Sequence, residues 1–120
     1  MCSRVISLLL FGALLAGCAT DPGPKPEQEM EAAHSAIESA DSAGARDVEP
    51  ALMTEARDKL EAAGTLIEEQ RNTEARHLLE QAALDAQLAE ARADTQQVRN
   101  ALGDLQASID SLRRNLENQQ

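Results

Sequence analysis

The chain has 120 residues with one Phe and no Trp or Tyr, which argues against a globular core built on aromatic side chains. Hydrophobic residues make up 42% and charged residues 27%, a balance typical of helices that pack through small side chains. The formal net charge of -10 argues against a nucleic-acid partner, because phosphate binding needs clustered Lys and Arg.

Residues 1–17 have the layout of a secretory signal peptide. A short segment with Arg4 precedes the apolar run of residues 5–15, which is shorter than the roughly 20 residues of a permanent transmembrane helix. The run ends in the sequence LAGC at residues 15–18, which resembles the lipobox of bacterial lipoproteins. That resemblance implies cleavage before Cys18 and attachment of acyl chains to Cys18, which would anchor the chain to a membrane. A soluble secreted protein is the alternative.

The residues after Cys18 predict a location and a tether. In lipoproteins of this kind, Asp directly after the lipidated Cys retains the protein at the inner membrane, whereas Ala19 follows here. The resemblance therefore implies the outer membrane, on the side that faces the periplasm. Cys2 would leave with the signal peptide, so no thiol would remain for a disulfide or a metal. Residues 18–26 contain three prolines, which predict an extended, solvated tether.

Beyond the tether, apolar residues recur at helical spacing and predict three helices without strands. The first helix should end near Gly44 with a left-handed cap, and residues 45–49 should form a short connection. Pro50 suits the first turn of the second helix, which should stop near residues 70–71. Asn72 should cap the third helix, which should continue to about Leu116.

The third helix carries two apolar stripes. One consists of small residues and Leu79: Ala75, Leu79, Ala82, Ala86, Ala89 and Ala93. The other begins at Leu84 and continues through Leu88, Ala91, Thr95, Val98, Leu102, Leu105, Ile109, Leu112 and Leu116. Its steps alternate between four and three residues, the spacing that keeps one face toward a partner helix in a coiled coil.

The predicted fold is all-α, an antiparallel helical hairpin or three-helix unit over residues 27–95 with residues 96–120 extending as a coiled coil. The two shorter helices should cover the first half of the third helix from two sides. Residues from Val98 to Leu116 should then pair with another protein or with a second copy. The alternative is an exposed amphipathic tail without a partner.

Three segments resemble a family of proteobacterial lipoproteins that contain a domain of unknown function, DUF4398. They are AIESADSAGA at residues 36–45, ARDKLEAA at residues 56–63, and residues 75–93 with DAQLAEA at 85–91. The similarity covers about residues 28–95. It implies a helical domain associated with the cell envelope, and it implies no activity and no catalytic residue.

Few residues are candidates for metal binding or catalysis. The pattern Glu-x-x-His occurs at Glu31 with His34 and at Glu74 with His77, and such pairs on four helices build di-iron sites. Only three helices are predicted, so solvated histidines are the favoured interpretation, and we expect no metal site and no cofactor. No Cys would survive as a nucleophile, and the Ser residues lie on predicted helix faces, so we expect no catalytic residue and no enzyme.

The sequence favours a lipid-anchored helical scaffold or adaptor of the outer membrane. Its expected partners are the membrane, through the lipid on Cys18, and a protein or second copy, through the C-terminal helix; nucleic acid and small-molecule substrates are not expected. A tether to the cell wall like murein lipoprotein is an alternative, although that protein attaches through a C-terminal Lys and residues 116–120 contain none. A helical protein that binds an apolar ligand or a metal is a further alternative.

Overall fold

In a computed structural model, residues 23–119 are described. This range contains no strand, which confirms the predicted all-α class. It forms four helices: α1, Glu27–Ser42; α2, Ala45–Val48; α3, Pro50–Glu68; and α4, Asn72–Glu117. The helical turn α2 lies in the segment that we expected to be only a connection, so the three long helices were predicted and this turn was not.

Backbone conformations at the helix ends agree with most of the predicted boundaries. Gly44 has φ 78°, and its N–H donates to the carbonyl of Asp41 at 3.1 Å. Pro50 occupies the first turn of α3, where its missing N–H costs nothing. The chain turns again at Gln70, which has φ 62°. These positions fix the two reversals that bring the long helices together.

Asn72 does not cap α4 as predicted. Asn72 is itself the first helical residue, and no side chain caps this end of the helix. Its amide nitrogen instead donates to the carbonyl of Gly23 at 2.8 Å. The side chain is buried at the junction between the tether and α4, where the backbone of Gly23 supplies an acceptor that sequence spacing cannot reveal.

The described end of the tether, residues 23–26, is packed only in part against the helices, since Pro24 and Lys25 are exposed. Pro26 is fully buried, and the carbonyl of Pro24 accepts a hydrogen bond from Arg76 at 3.4 Å. Pro26 tolerates burial because its ring is apolar and it has no N–H to satisfy. Residues 18–22 of the tether, which include Cys18, and the predicted signal peptide at residues 1–17 lie outside the described residues.

Contacts between helices define an up-down-up arrangement. Arg76 of α4 pairs with Glu29 near the start of α1 at 2.8 Å, and Glu90 accepts a hydrogen bond from Ser39 near its end at 2.7 Å, so α1 runs parallel to α4. Asp85 binds Lys59 of α3. Because Glu49, just before α3, pairs with Arg92 farther along α4 at 3.1 Å, α3 runs antiparallel to it.

The core is lined mainly by alanine. The predicted small-residue stripe of α4 is confirmed, since each member is fully buried: Ala75, Leu79, Ala82, Ala86, Ala89 and Ala93. Met53 of α3 and Ile37 of α1 supply the larger side chains that pack with this stripe. Small side chains allow the helices to approach closely, so dispersion contacts offset the modest apolar area of each residue.

Candidate functional site: an apolar seam along α4

The second stripe of α4 lies at the surface of the single chain. Its large side chains are between 40% and 63% exposed. They are Leu84, Leu88, Val98, Leu102, Leu105, Ile109, Leu112 and Leu116, and together with Ala91 and Thr95 they form what we call the seam. Each predicted site residue from Val98 onward is exposed on one face of one helix.

The seam faces away from the three-helix core. At about 100° of rotation per residue, its positions fall on the side of α4 opposite the buried alanines. We expected α1 and α3 to cover the first half of α4 from two sides. Both helices do pack against it from two sides, where they flank the alanine stripe, but neither covers Leu84 or Leu88, which remain 62% and 44% exposed. The exposed seam therefore starts within the three-helix unit, earlier than the Val98 boundary of the predicted pairing region.

The residues beside the seam carry an asymmetric set of charges. In heptad notation Leu102 is at position a and Leu105 at position d, so the charged residues at position e are Asp85, Arg92, Arg99 and Arg113. Asp94 is the one charged residue at position g between residues 87 and 115. Arg92 forms an ion pair with Glu49, whereas Asp94 and Arg99 form no ion pair within residues 23–119.

Thr95 is the one polar residue of the seam. Its hydroxyl donates to the carbonyl of Ala91, one turn earlier, at 2.8 Å. The hydroxyl is therefore already satisfied within α4, and covering the seam would not leave it without a partner.

The family comparison covers most of this architecture. The family model for the Domain of unknown function (DUF4398) matches residues 28–105. The chain belongs to this family. The DUF4398 match runs past residue 95 and ends within the seam. Comparisons with curated proteins and with solved structures found no match.

The Glu-x-x-His pairs do not form a common cluster in this DUF4398 chain. His34 and His77 are exposed, and His77 Nδ1 lies 3.6 Å from Glu80 Oε2. Glu74 is held by Arg71 at 2.9 Å, and that hydrogen bond lowers the pKa of Glu74. Between residues 23 and 119, no group of three or more His, Cys, Asp or Glu side chains could hold a metal ion.

Open grooves border the seam on both sides. Toward α1, Leu84 lines a groove with Glu29, Ala32 and Ala83. Toward α2, Arg99 lines another with Val48 and Thr95. Both grooves are continuous with the seam and open to solvent, so they widen a linear contact surface rather than enclose a ligand.

Ion pairs between distant residues were missed by the sequence analysis. Asp41 accepts hydrogen bonds from Arg57 at 2.6 Å and from Arg46 at 2.8 Å. The Arg57 hydrogen bond, aided by Arg46 and opposed by partial desolvation, lowers the pKa of Asp41. Asp85 similarly raises the pKa of Lys59, with help from Glu55. The charge at each site is visible in the sequence, but the pairing depends on how α1, α3 and α4 are rotated against each other.

None of the described helices has the length and hydropathy that a membrane span needs.

Proposed function

We propose that the chain is a lipid-anchored helical scaffold or adaptor of the outer membrane that faces the periplasm and acts without catalysis. The LAGC sequence at residues 15–18 supports the anchor, since it follows an apolar run of signal-peptide length. The seam supports the adaptor role, because contiguous exposed apolar surface on a soluble domain marks an interaction site.

The geometry suits a protein that acts at a distance from a membrane. The tether packs at the end of the molecule where Gly23 meets Asn72, so an anchor at Cys18 would lie toward that end. From there α4 continues for 46 residues, or about 69 Å. The seam runs along about the distal three quarters of that length, where a partner can reach it.

The exposed continuous seam is the observation that carries this proposal. Full burial of a Leu or Ile side chain is worth about 1.5–3 kcal/mol, so covering one that is about 60% exposed contributes roughly 1–2 kcal/mol. Covering the seam residues from Val98 onward would contribute roughly 6–12 kcal/mol of binding free energy. This is comparable to the cost of about 4–15 kcal/mol for the translational and rotational freedom lost on association. With the added contribution of Leu84 and Leu88, the full seam is long enough to support a specific contact.

Lipidation is tested by mass spectrometry of the N-terminal peptide from cells that express the full chain. We expect cleavage before Cys18 and a mass increase from a diacylglycerol and an acyl group. Cys18→Ala should abolish the modification and membrane association, whereas the matched variant Cys2→Ala should leave both intact. An unmodified Cys18, or membrane association that survives Cys18→Ala, would overturn the anchor.

The adaptor role is tested by disrupting the seam in a chain that remains folded and membrane-bound. Leu105→Asp should leave the chain folded, lipidated and membrane-bound, because this side chain is exposed, yet it should abolish any phenotype that deletion of the chain produces. Ala107→Asp, on the same helix but off the seam, is the control. Equal function of both variants would refute a role for the seam.

A further inference from the structure

We infer that the seam is covered by a second copy of this chain, aligned parallel and in register along α4. The proposal deepens the proposed function by naming the partner of the seam. It depends on the anchor only for the membrane geometry; the pairing itself rests on the exposed seam and its flanking charges.

The order of side chains in the seam suits self-pairing in register. In a parallel, in-register pair each core residue faces its own counterpart. The small residues Ala91 and Thr95 would then meet only each other's copies and allow a close approach of the two helices. Large residues would meet large residues from Leu102 to Leu116, so the layers match in size.

From residue 87 onward, the flanking charges favour the parallel orientation; farther back Glu80 would face Asp85, whose carboxylate is paired with Lys59. In a parallel pair, each g residue faces the e residue five positions later on the other helix, so Asp94 would face Arg99 of the second copy. The symmetric contact forms twice. The g residues opposite Arg92 and Arg113 are Gln87 and Ser108, so neither arginine meets a like charge.

An antiparallel pair would bring like charges together. In that orientation e residues face e residues, and arginine occupies three of these positions between residues 92 and 113. With Leu102 packed on Leu105 of the second copy, Arg92 would face Arg113. The ion pair with Glu49 offsets part of the Arg92 charge, so the main argument against this arrangement is that Asp94 would have no arginine to meet.

The position of the seam leaves room for the second copy. Both α1 and α3 lie on the alanine side of α4, so two seams can meet without displacing the cores. A parallel pair also places the two Gly23 ends together, and two lipid anchors could enter the same membrane. An antiparallel pair would direct the anchors to opposite ends of a helix about 69 Å long.

Disulfide cross-linking of the full chain in its membrane tests the orientation. Leu84→Cys and Leu112→Cys are read separately on non-reducing gels after oxidation, with the off-seam variant Ala107→Cys as control. In register, both seam variants should give a band at twice the chain mass and the control should not. An antiparallel pair with Leu102 on Leu105 would give neither seam band, because each cysteine would lie far from its own copy, and a band of another mass would indicate a different protein; either result overturns the proposal.

The number of copies is tested by placing both cysteines in one chain. In a two-chain assembly the two disulfides join the same partners, so the product should stay at twice the chain mass. A product of three chains would overturn the two-copy proposal.

Cross-linking of the unsubstituted chain shows whether a negative or unexpected result arises from missing lipidation or from missing pairing. If Cys18 is acylated and Cys2 removed, this chain should not cross-link. A dimer band from it would count against lipidation, and the seam variants would then be read on a Cys2→Ser, Cys18→Ser chain. Absence of both seam bands on either background would overturn the pairing alone.

Charge exchange tests the assigned contact. Asp94→Arg and Arg99→Asp should each weaken the seam-dependent dimer by about tenfold, and the double exchange should restore it. Asp104→Arg makes the same charge change on an exposed face away from the seam and should have no such effect. Failure of the double exchange to recover cross-linking would refute the Asp94–Arg99 contact.

Discussion

Two leucines of α4, five positions apart, should respond very differently to the same substitution. Leu79 is fully buried among the core alanines, whereas Leu84 is 62% exposed at the start of the seam. Leu79→Ala removes buried methyl groups and leaves a cavity, which costs about 2–4 kcal/mol. Leu84→Ala loses little in the single chain, below about 1 kcal/mol. For a domain of this size, the core variant should melt roughly 10–20 °C lower.

Far-UV circular dichroism during thermal unfolding measures this difference at two chain concentrations tenfold apart. The effect of Leu79→Ala should be the same at both, because its contacts lie within one chain. The effect of Leu84→Ala should grow at the higher concentration, because pairing covers the seam. Similar losses for both variants in dilute solution would refute the assignment of the two faces of α4.

Further predictions concern local features of the fold. Arg57 holds the pKa of Asp41 below its ordinary value of 3.8, so ionised Asp41 stabilises the fold above that pH. This contribution to the free energy of unfolding is lost as the pH falls through the lowered pKa of the folded state. In urea unfolding below about pH 4, Asp41→Asn should therefore lose less of its free energy of unfolding with falling pH than the unsubstituted chain does. Gly44→Ala should cost about 1–2 kcal/mol because φ is 78°, whereas Gly64→Ala, inside α3 with open space around it, should stabilise by about 0.5–1 kcal/mol in the same assay. Asn72→Ala should cost about 1 kcal/mol and speed hydrogen exchange where the tether meets α4, and unchanged exchange there would contradict the docking.

The helices and their buried faces could be predicted because they depend on local sequence. Gly44 and Pro50 mark their boundaries through backbone preferences that need no tertiary context. The stripe that includes Leu79 follows from helical periodicity alone. The one-turn helix α2 was missed because four residues are too few to show a period.

Features set by contacts between helices could not be predicted in the same way. Asn72 looked like a cap because the sequence does not show that Gly23 returns to meet it. Leu84 is exposed because α1 and α3 both pack against the alanine stripe of α4. The pairing of Asp41 with Arg57, 16 positions apart, depends on the relative rotation of two helices.

Sedimentation equilibrium of the full chain in detergent tests most directly whether the seam of α4 joins copies of the chain. The unsubstituted chain should have twice the mass of one chain. Leu105→Asp combined with Ile109→Asp should reduce it to a single chain while the helical signal is retained, and Ala107→Asp should leave it unchanged. A single-chain mass for the unsubstituted protein at every concentration, or a dimer that survives the double substitution, would contradict the account.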